Sequence, residues 1–329
     1  MVVTVGAAGT VLRGPITPTV LADPGSPGDH LVAGLENAYP GGMTRIAVGE
    51  FLRAHREGTS PADVGLPSDD RRRVRGLRRT EVAMLAGISP DYYLRLEQGR
   101  DGPPSDQVLN ALGRALLLDD ESLEYLHRLA HPMPPHLRPG HDTRVDEGLL
   151  RLMALWTRTP AVVIDGCMDV LVANPLATAL APGIFEPGAN LVLSVFQPLP
   201  RQAAPDWESL AAQTVASLRL GADPDDPRLH DIVGELSHDP DFSRLWARHD
   251  VRAFTTGITT HYVAGVGFID LRFQNLAVPG RSGLVLTTYF ADEGSPGERA
   301  LAHLAAQVDL GVAVPQVREL PVADRSQSG

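Results

Sequence analysis

The chain has 329 residues, 43% of them hydrophobic and 21% charged, enough for two domains with cores of their own. Its formal net charge is −11, and its 29 basic residues are all arginine. A single cysteine, Cys167, excludes an internal disulfide framework. No apolar run reaches the length of a membrane span, and the first residues lack the basic-then-apolar order of a secretory signal. The expected location is cytoplasmic.

Residues 1–42 are rich in Gly, Pro, Ala and Thr without periodicity and are expected to form a disordered tail. Met43 follows directly and stands as a second candidate for the translation start. Residues 43–131 read as an all-α domain. A first helix is expected over 44–57, with Ile46, Phe51 and Leu52 inward. A loop over 58–76 carries Gly58, Pro61, Gly65 and Pro67, then a run of arginines.

The stretch LRRTEVAMLAGISPDYYLRLEQG, residues 77–99, reads as two short helices over 78–86 and 90–98. Val82, Leu85, Ile88, Tyr93 and Leu96 are spaced to meet between them. Gly87 stands where the first helix must stop, since a residue tolerant of positive φ ends a helix cheaply. Ser89, Pro90 and Asp91 supply a hydroxyl cap, a proline at the first helical position and an acid in the first turn. Helix, glycine turn and helix make a helix-turn-helix unit, whose second helix enters the DNA major groove. Two more helices are expected: 105–116 with Val108, Leu109, Leu112 and Leu116 inward, and 119–130 with Leu123, Leu126 and Leu129 inward.

Residues 132–142 form a proline-rich linker. Residues 143–310 then read as an α+β domain. It begins with a helix over 144–157, strands over 161–164 and 169–173, a short helix over 174–180 and an apolar segment over 191–196. Helices over 206–219, 227–237 and 241–248 precede strand-like runs over 253–263, 267–275 and 283–290 and a helix over 296–307. Residues 311–329 read as a tail.

The candidate DNA contacts fall in two groups. On the second helix of the pair, Ser89, Asp91, Tyr92 and Arg95 face away from Tyr93 and Leu96. Arg95 suits the two acceptors of a guanine edge, Asp91 the amine of a cytosine, and Tyr92 a thymine methyl or a phosphate. Arg71, Arg72, Arg73, Arg75, Arg78 and Arg79, with Thr80, precede or open the first helix. Its free N–H groups already favour a phosphate, and guanidinium groups there add counterion release. The competing readings are a packed helix pair of another all-α domain and a solvated charged loop beside Asp69 and Asp70.

His127, His131, His136 and His141 cluster in the sequence, but no cysteine or paired carboxylate accompanies them, so no metal site is expected. No Gly-x-Ser-x-Gly elbow, phosphate-binding loop, His-Glu-x-x-His or paired-cysteine motif occurs. Neither catalysis nor a cofactor is expected.

The run GLRRTEVAMLAGISPDYYLRLEQGRDGPPSDQVLNALGRAL resembles the Cro/C1-type (XRE) helix-turn-helix regulators, in particular their actinobacterial branch. In that branch an MmyB-like ligand-binding domain of PAS-like fold follows the DNA-binding domain. The segments DVLVANPLATAL, DWESLAAQTVASLRL, DDPRLHDIVGELS and DFSRLWARHDVR resemble it, with Asn174 at the family's recurrent Asn. The resemblance implies a helix-turn-helix domain plus an α+β PAS-like domain, and a sequence-specific regulator that binds double-stranded DNA. A homodimer is expected because one short recognition helix reads few base pairs and symmetric half-sites multiply affinity. The resemblance also implies a small apolar effector in a pocket between sheet and helices, for which Phe196, Trp207, Trp246, His261 and Tyr262 are the candidate contacts. It further pairs Arg56 with Glu97 and puts Arg79 at the position of a DNA-contacting Gln and Arg78 at that of a capping Ser. Tyr262 replaces a common Pro, and a Trp usual ahead of Asp169 is absent. The rival readings are a second domain that binds a protein partner, and an enzyme with an accessory DNA-binding domain.

Overall fold

Helix α1 (Gly42–Gly58) buries Phe51 and Leu52 and opens the first domain of the computed structural model, which describes residues 42–67, 74–132, 144–203, 206–280 and 283–311. A single turn of 3-10 helix at Pro61–Val64 follows. Then come α2 (Arg79–Ala86), α3 (Pro90–Glu97), α4 (Asp106–Ala115) and α5 (Asp120–Ala130). The starts of α3, α4 and α5 are fixed by side-chain caps: Ser89, Ser105 and Asp119 accept from the N–H groups of Tyr92, Val108 and Ser122. Phe51, Leu77, Tyr93, Leu109, Leu112 and Leu126 form the centre of this core.

Two expected core positions face outward. Leu85 is 37% exposed, because the inward face of α2 is centred on Val82 and Ala83, and Leu85 points about 100° away from it. Ile46, on the first turns of α1, is 46% exposed. The calls on residues 1–41, on the linker beyond Pro132 and on the tail beyond Gly311 lie outside the described residues, as do Arg71, Arg72, Arg73, His136 and His141.

The second domain begins with α6 (Glu147–Ala154), β1 (Ala161–Ile164), β2 (Val170–Ala173) and α7 (Pro175–Leu180). Helices α8 (Leu191–Val195), α9 (Pro198–Ala203), α10 (Trp207–Gly221), α11 (Pro227–Leu236) and α12 (Pro240–Trp246) follow. Strands β3 (Thr256–Val263), β4 (Gly267–Ala277) and β5 (Val285–Phe290) and helix α13 (Pro296–Asp309) complete it. The apolar segment after Asn190 is helical, not extended, because the Asn190 amide oxygen caps it at Leu193 N–H. Helix α9 was not expected; prolines at its start mask it in the sequence, although a helix tolerates proline in its first turn.

The strands form one antiparallel sheet in the order β2-β1-β5-β4-β3. Alternation sorts its two faces. Ile269, Leu271 and Phe273 of β4 are buried against the helices, while Phe268, Asp270 and Arg272 between them are exposed. β1 is buried at every position, since Val162 and Ile164 face the main helical layer and Ala161 and Val163 lie with Met153 of α6 on the other side. The buried Asn174 welds this corner. Its amide donates to the carbonyls of Trp156 and Thr159, and its oxygen accepts from the N–H groups of Ala161 and Ala177.

Candidate functional site

The helix pair that points to DNA is set by its turn. Gly87 adopts φ 68°, in the left-handed region, and Ile88 N–H returns to the Ala83 carbonyl at 2.9 Å, which closes α2. Ser89 Oγ then accepts from Tyr92 N–H at 3.2 Å and starts α3. At the head of α2, Arg78 offers no capping oxygen. Glu81 supplies the other half of a capping box by accepting the Arg78 backbone N–H at 2.7 Å.

One buried carboxylate orients both helices. Glu97, at the end of α3, accepts from Arg56 Nε of α1 at 2.5 Å and from Arg79 Nε of α2 at 2.5 Å. Arg56 also donates to the Leu77 carbonyl at 3.0 Å. Burial alone would raise the Glu97 carboxyl, yet hydrogen bonds and charge from Arg56 and Arg79 hold it below its ordinary value. The expected Arg56–Glu97 pair is thus one half of a three-residue clamp. Arg79, expected as a DNA contact, is committed to this clamp through Nε, and only about half of its side chain stays open to solvent. Its spacing from Glu97 carries no local sequence signal, which is why the third member was not seen.

Arg75, Arg78, Thr80, Ser89, Asp91 and Arg95 are exposed, and Tyr92 is half-buried. Arg95 places its guanidinium 5.7 Å from the centre of the Tyr92 ring, and its Nε donates to Asp101 at 2.9 Å. The Arg95–Asp101 contact holds the Asp101 carboxyl below its ordinary value.

In the second domain a cavity of about 260 Å³ lies between the inner face of β3–β5 and helices α7–α10. His261 and Tyr262 line it, with Tyr289, Phe185 and Phe273. The His261 ring lies 5.4 Å from that of Tyr289 and 6.0 Å from that of Phe185, and its Nε2 is 2.9 Å from Thr259 Oγ1. Burial lowers the His261 imidazole to about 4, against a raising influence from Asp270, so the ring is neutral.

The other three expected contacts are corrected. Phe196, Trp207 and Trp246 do not line the cavity; they form an aromatic ladder around Phe242 on α12. Phe196 meets Trp207 and Phe242 edge-on at 5.6 and 5.4 Å, Phe242 stacks on Trp246 at 5.7 Å, and Trp207 Nε1 donates to the Val195 carbonyl. The cavity residues missed in the sequence, Tyr289 and Phe273, belong to alternating strands whose inner face is known only once the sheet order is.

The two domains meet at the end of α10. Arg219 is buried there, with its guanidinium carbon 3.8 Å from the centre of the Trp246 ring. Its Nη2 donates to the Trp246 carbonyl at 2.5 Å, and its Nη1 lies 3.2 Å from His249 Nδ1. From the first domain, Tyr125 of α5 and Glu50 of α1 oppose the burial that presses this guanidinium's pKa down. Val251 is buried within the first domain's core, and Ala253 N–H donates to Glu121 at 2.8 Å. Burial, then Arg219 and His55, lower His249 to about 3.

Residues 47–126 match the family model described as a helix-turn-helix domain, and residues 145–304 that of the MmyB-like transcription regulator ligand binding domain. No curated protein matches the chain. Among the described residues no helix is long and apolar enough to cross a membrane. Helix pair, cavity and both matches fall in the same order along the sequence, and the chain is a helix-turn-helix regulator with an MmyB-like ligand-binding domain.

Proposed function

We propose that this protein is a cytoplasmic, sequence-specific transcriptional regulator of the Cro/C1 type, without catalytic activity, that binds operator DNA as a homodimer. Its second domain, PAS-like by its two strands, intervening helices and three closing strands, binds a small apolar effector. The observation that carries the reading is α10. This helix lines the cavity with Leu210 and Thr214 and, one to two turns later, sets Arg219 between the domains. A ligand that shifts α10 therefore acts on α1 and α5, and α1 holds α3 through Arg56 and Glu97. A ligand changes DNA affinity only by its differential affinity for the two states. Dimerisation is supported by the size of α3: one two-turn helix reads few base pairs, and paired half-sites multiply affinity.

The test is selection of binding sites from random duplex DNA by the full-length protein, followed by native mass spectrometry of the complex. A defined, two-fold symmetric sequence bound by two chains is expected. Binding without sequence preference contradicts the regulator reading, and a single chain on one half-site contradicts the dimer.

A further inference from the structure

The cavity has an electrostatic character that defines what it accepts. No Asp, Glu, Lys or Arg lines it among the described residues. Arg201 of α9, a helix that lines the cavity, has both terminal nitrogens on Asp239 and Asp241, at 2.5 and 2.7 Å. Asp270 accepts from Thr260 on the adjoining strand at 2.7 Å, and its charge is felt at His261 on the wall.

Most polar side chains of the wall are satisfied within the protein. Ser194 and Thr214 donate to the carbonyls of Asn190 and Leu210, and Thr287 donates to Asn275. Two atoms remain. The Tyr289 hydroxyl has no hydrogen-bond partner among the described residues, although the side chain is more than nine-tenths buried. His261 uses Nε2 on Thr259 and leaves Nδ1 unpaired beside the Tyr289 ring. A hydroxyl that faces the cavity without a protein partner is free to donate, and a ligand oxygen is the natural group to receive it. Tyr262, the other unpaired phenol of the wall, is only half-buried and has access to water.

Resting on the effector reading above, we propose that the cavity selects an uncharged apolar molecule of about ten non-hydrogen atoms that carries one carbonyl or hydroxyl oxygen, bound by the Tyr289 hydroxyl and His261 Nδ1. The size follows from the cavity: an apolar cavity of about 150 Å³ takes benzene, with its six carbons, so 260 Å³ takes about ten non-hydrogen atoms. The preference against anions follows from the wall: a carboxylate against it finds neutral donors but no cation among the described residues. Burial keeps the phenol of Tyr289 protonated and the imidazole of His261 neutral, so neither supplies a countercharge at neutral pH.

Three probes of matched length separate the possibilities: 2-nonanone, nonanoate and nonane, titrated into the full-length protein by calorimetry at pH 7.5. The ketone is expected to bind at least tenfold more tightly than the carboxylate and several-fold more tightly than the alkane. Tyr289→Phe should bring the ketone down to the alkane's affinity and leave the alkane unchanged; far-ultraviolet circular dichroism checks that the variant folds. Nonanoate binding as tightly as the ketone, or an unchanged ketone-to-alkane ratio in Tyr289→Phe, overturns this inference and leaves the effector reading standing. Failure of all three probes to bind up to their solubility overturns both.

Discussion

The guanidinium of Arg219 lies flat enough on Trp246 to bring its central carbon within 3.8 Å of the ring centre, and it also donates to that residue's own carbonyl. Arg219 belongs to the helix that lines the cavity, and Tyr125 and Glu50, which act on its guanidinium, belong to the DNA-binding domain. A cation–π contact shielded from water is stronger than an exposed one, so this residue fixes the α10–α12 corner as well as the domain interface.

Replacing Arg219 by Met keeps the side-chain length and removes the charge, the hydrogen bonds and the cation–π contact. The Trp246 carbonyl then keeps only the His249 N–H at 3.3 Å, and loss of the bond from the charged guanidinium costs about 1.5–3 kcal/mol. Urea unfolding of the full chain should show this loss, together with a weaker effect of cavity ligands on operator binding. An unchanged midpoint and an unchanged ligand response would show that the interface carries neither stability nor signal.

The Arg56–Glu97–Arg79 clamp should be the most sensitive point of the DNA-binding domain. Glu97→Ala leaves the buried Arg56 with only the solvent-exposed Glu57 as a countercharge, which costs about 3–5 kcal/mol. Because the folded Glu97 pKa is depressed, its contribution is present above the unfolded value of about 4.3 and is lost as pH falls through the folded value. Thermal unfolding at neutral pH measures the first effect; a loss below about 1 kcal/mol would mean that the clamp is structurally dispensable.

Stability should decline on acidification before the carboxylates titrate. His249 is lowered to about 3 and His261 to about 4, while in the unfolded chain both take up a proton near 6.5. Stability from these groups is therefore full above pH 6.5 and drops as pH falls, by up to about 1.4 kcal/mol per pH unit for each. His249 sits at φ 54°, a conformation that Asn tolerates, so His249→Asn should flatten the slope by its share without backbone strain. Urea midpoints at pH 7.5, 6 and 5 test this; a pH-independent midpoint, or the same slope in the variant, contradicts it.

On DNA, Arg95→Ala should lose about 1–3 kcal/mol on the selected operator and relax discrimination at one base pair. Replacing the exposed Arg75 and Arg78 by Ala should weaken binding evenly on all sequences and reduce the salt slope by about 0.9 for each phosphate contact removed. Quantitative binding at several salt concentrations separates the two kinds of residue. Full specificity in Arg95→Ala, or an unchanged slope in the double variant, would remove those residues from the DNA surface.

The sequence exposes features that local chemistry dictates. Gly87, Ser89 and Pro90 encode their turn in three adjacent residues, and β1 and α7 begin and end where the apolar run and the Asn174 cap place them. Features made by distant residues were hidden. Arg79 meets Glu97 only after α2 and α3 cross, and Tyr289 reaches the cavity only because β5 pairs between β1 and β4. Trp207 and Trp246 are conspicuous in sequence, but Trp207 packs on Phe196 and Trp246 on Phe242 and Arg219, since an aromatic side chain signals burial without saying against what. Arg219 has no local signature at all; its burial comes from the docking of the two domains.

The central claim is that occupancy of the cavity alters DNA binding through α10. Its most direct test is fluorescence anisotropy of the selected operator with the full-length protein, with and without saturating 2-nonanone or the molecule retained on purification. The account predicts an affinity shift of about 5–150-fold that Arg219→Met largely abolishes. Equal operator affinity for the empty and the saturated protein would contradict it.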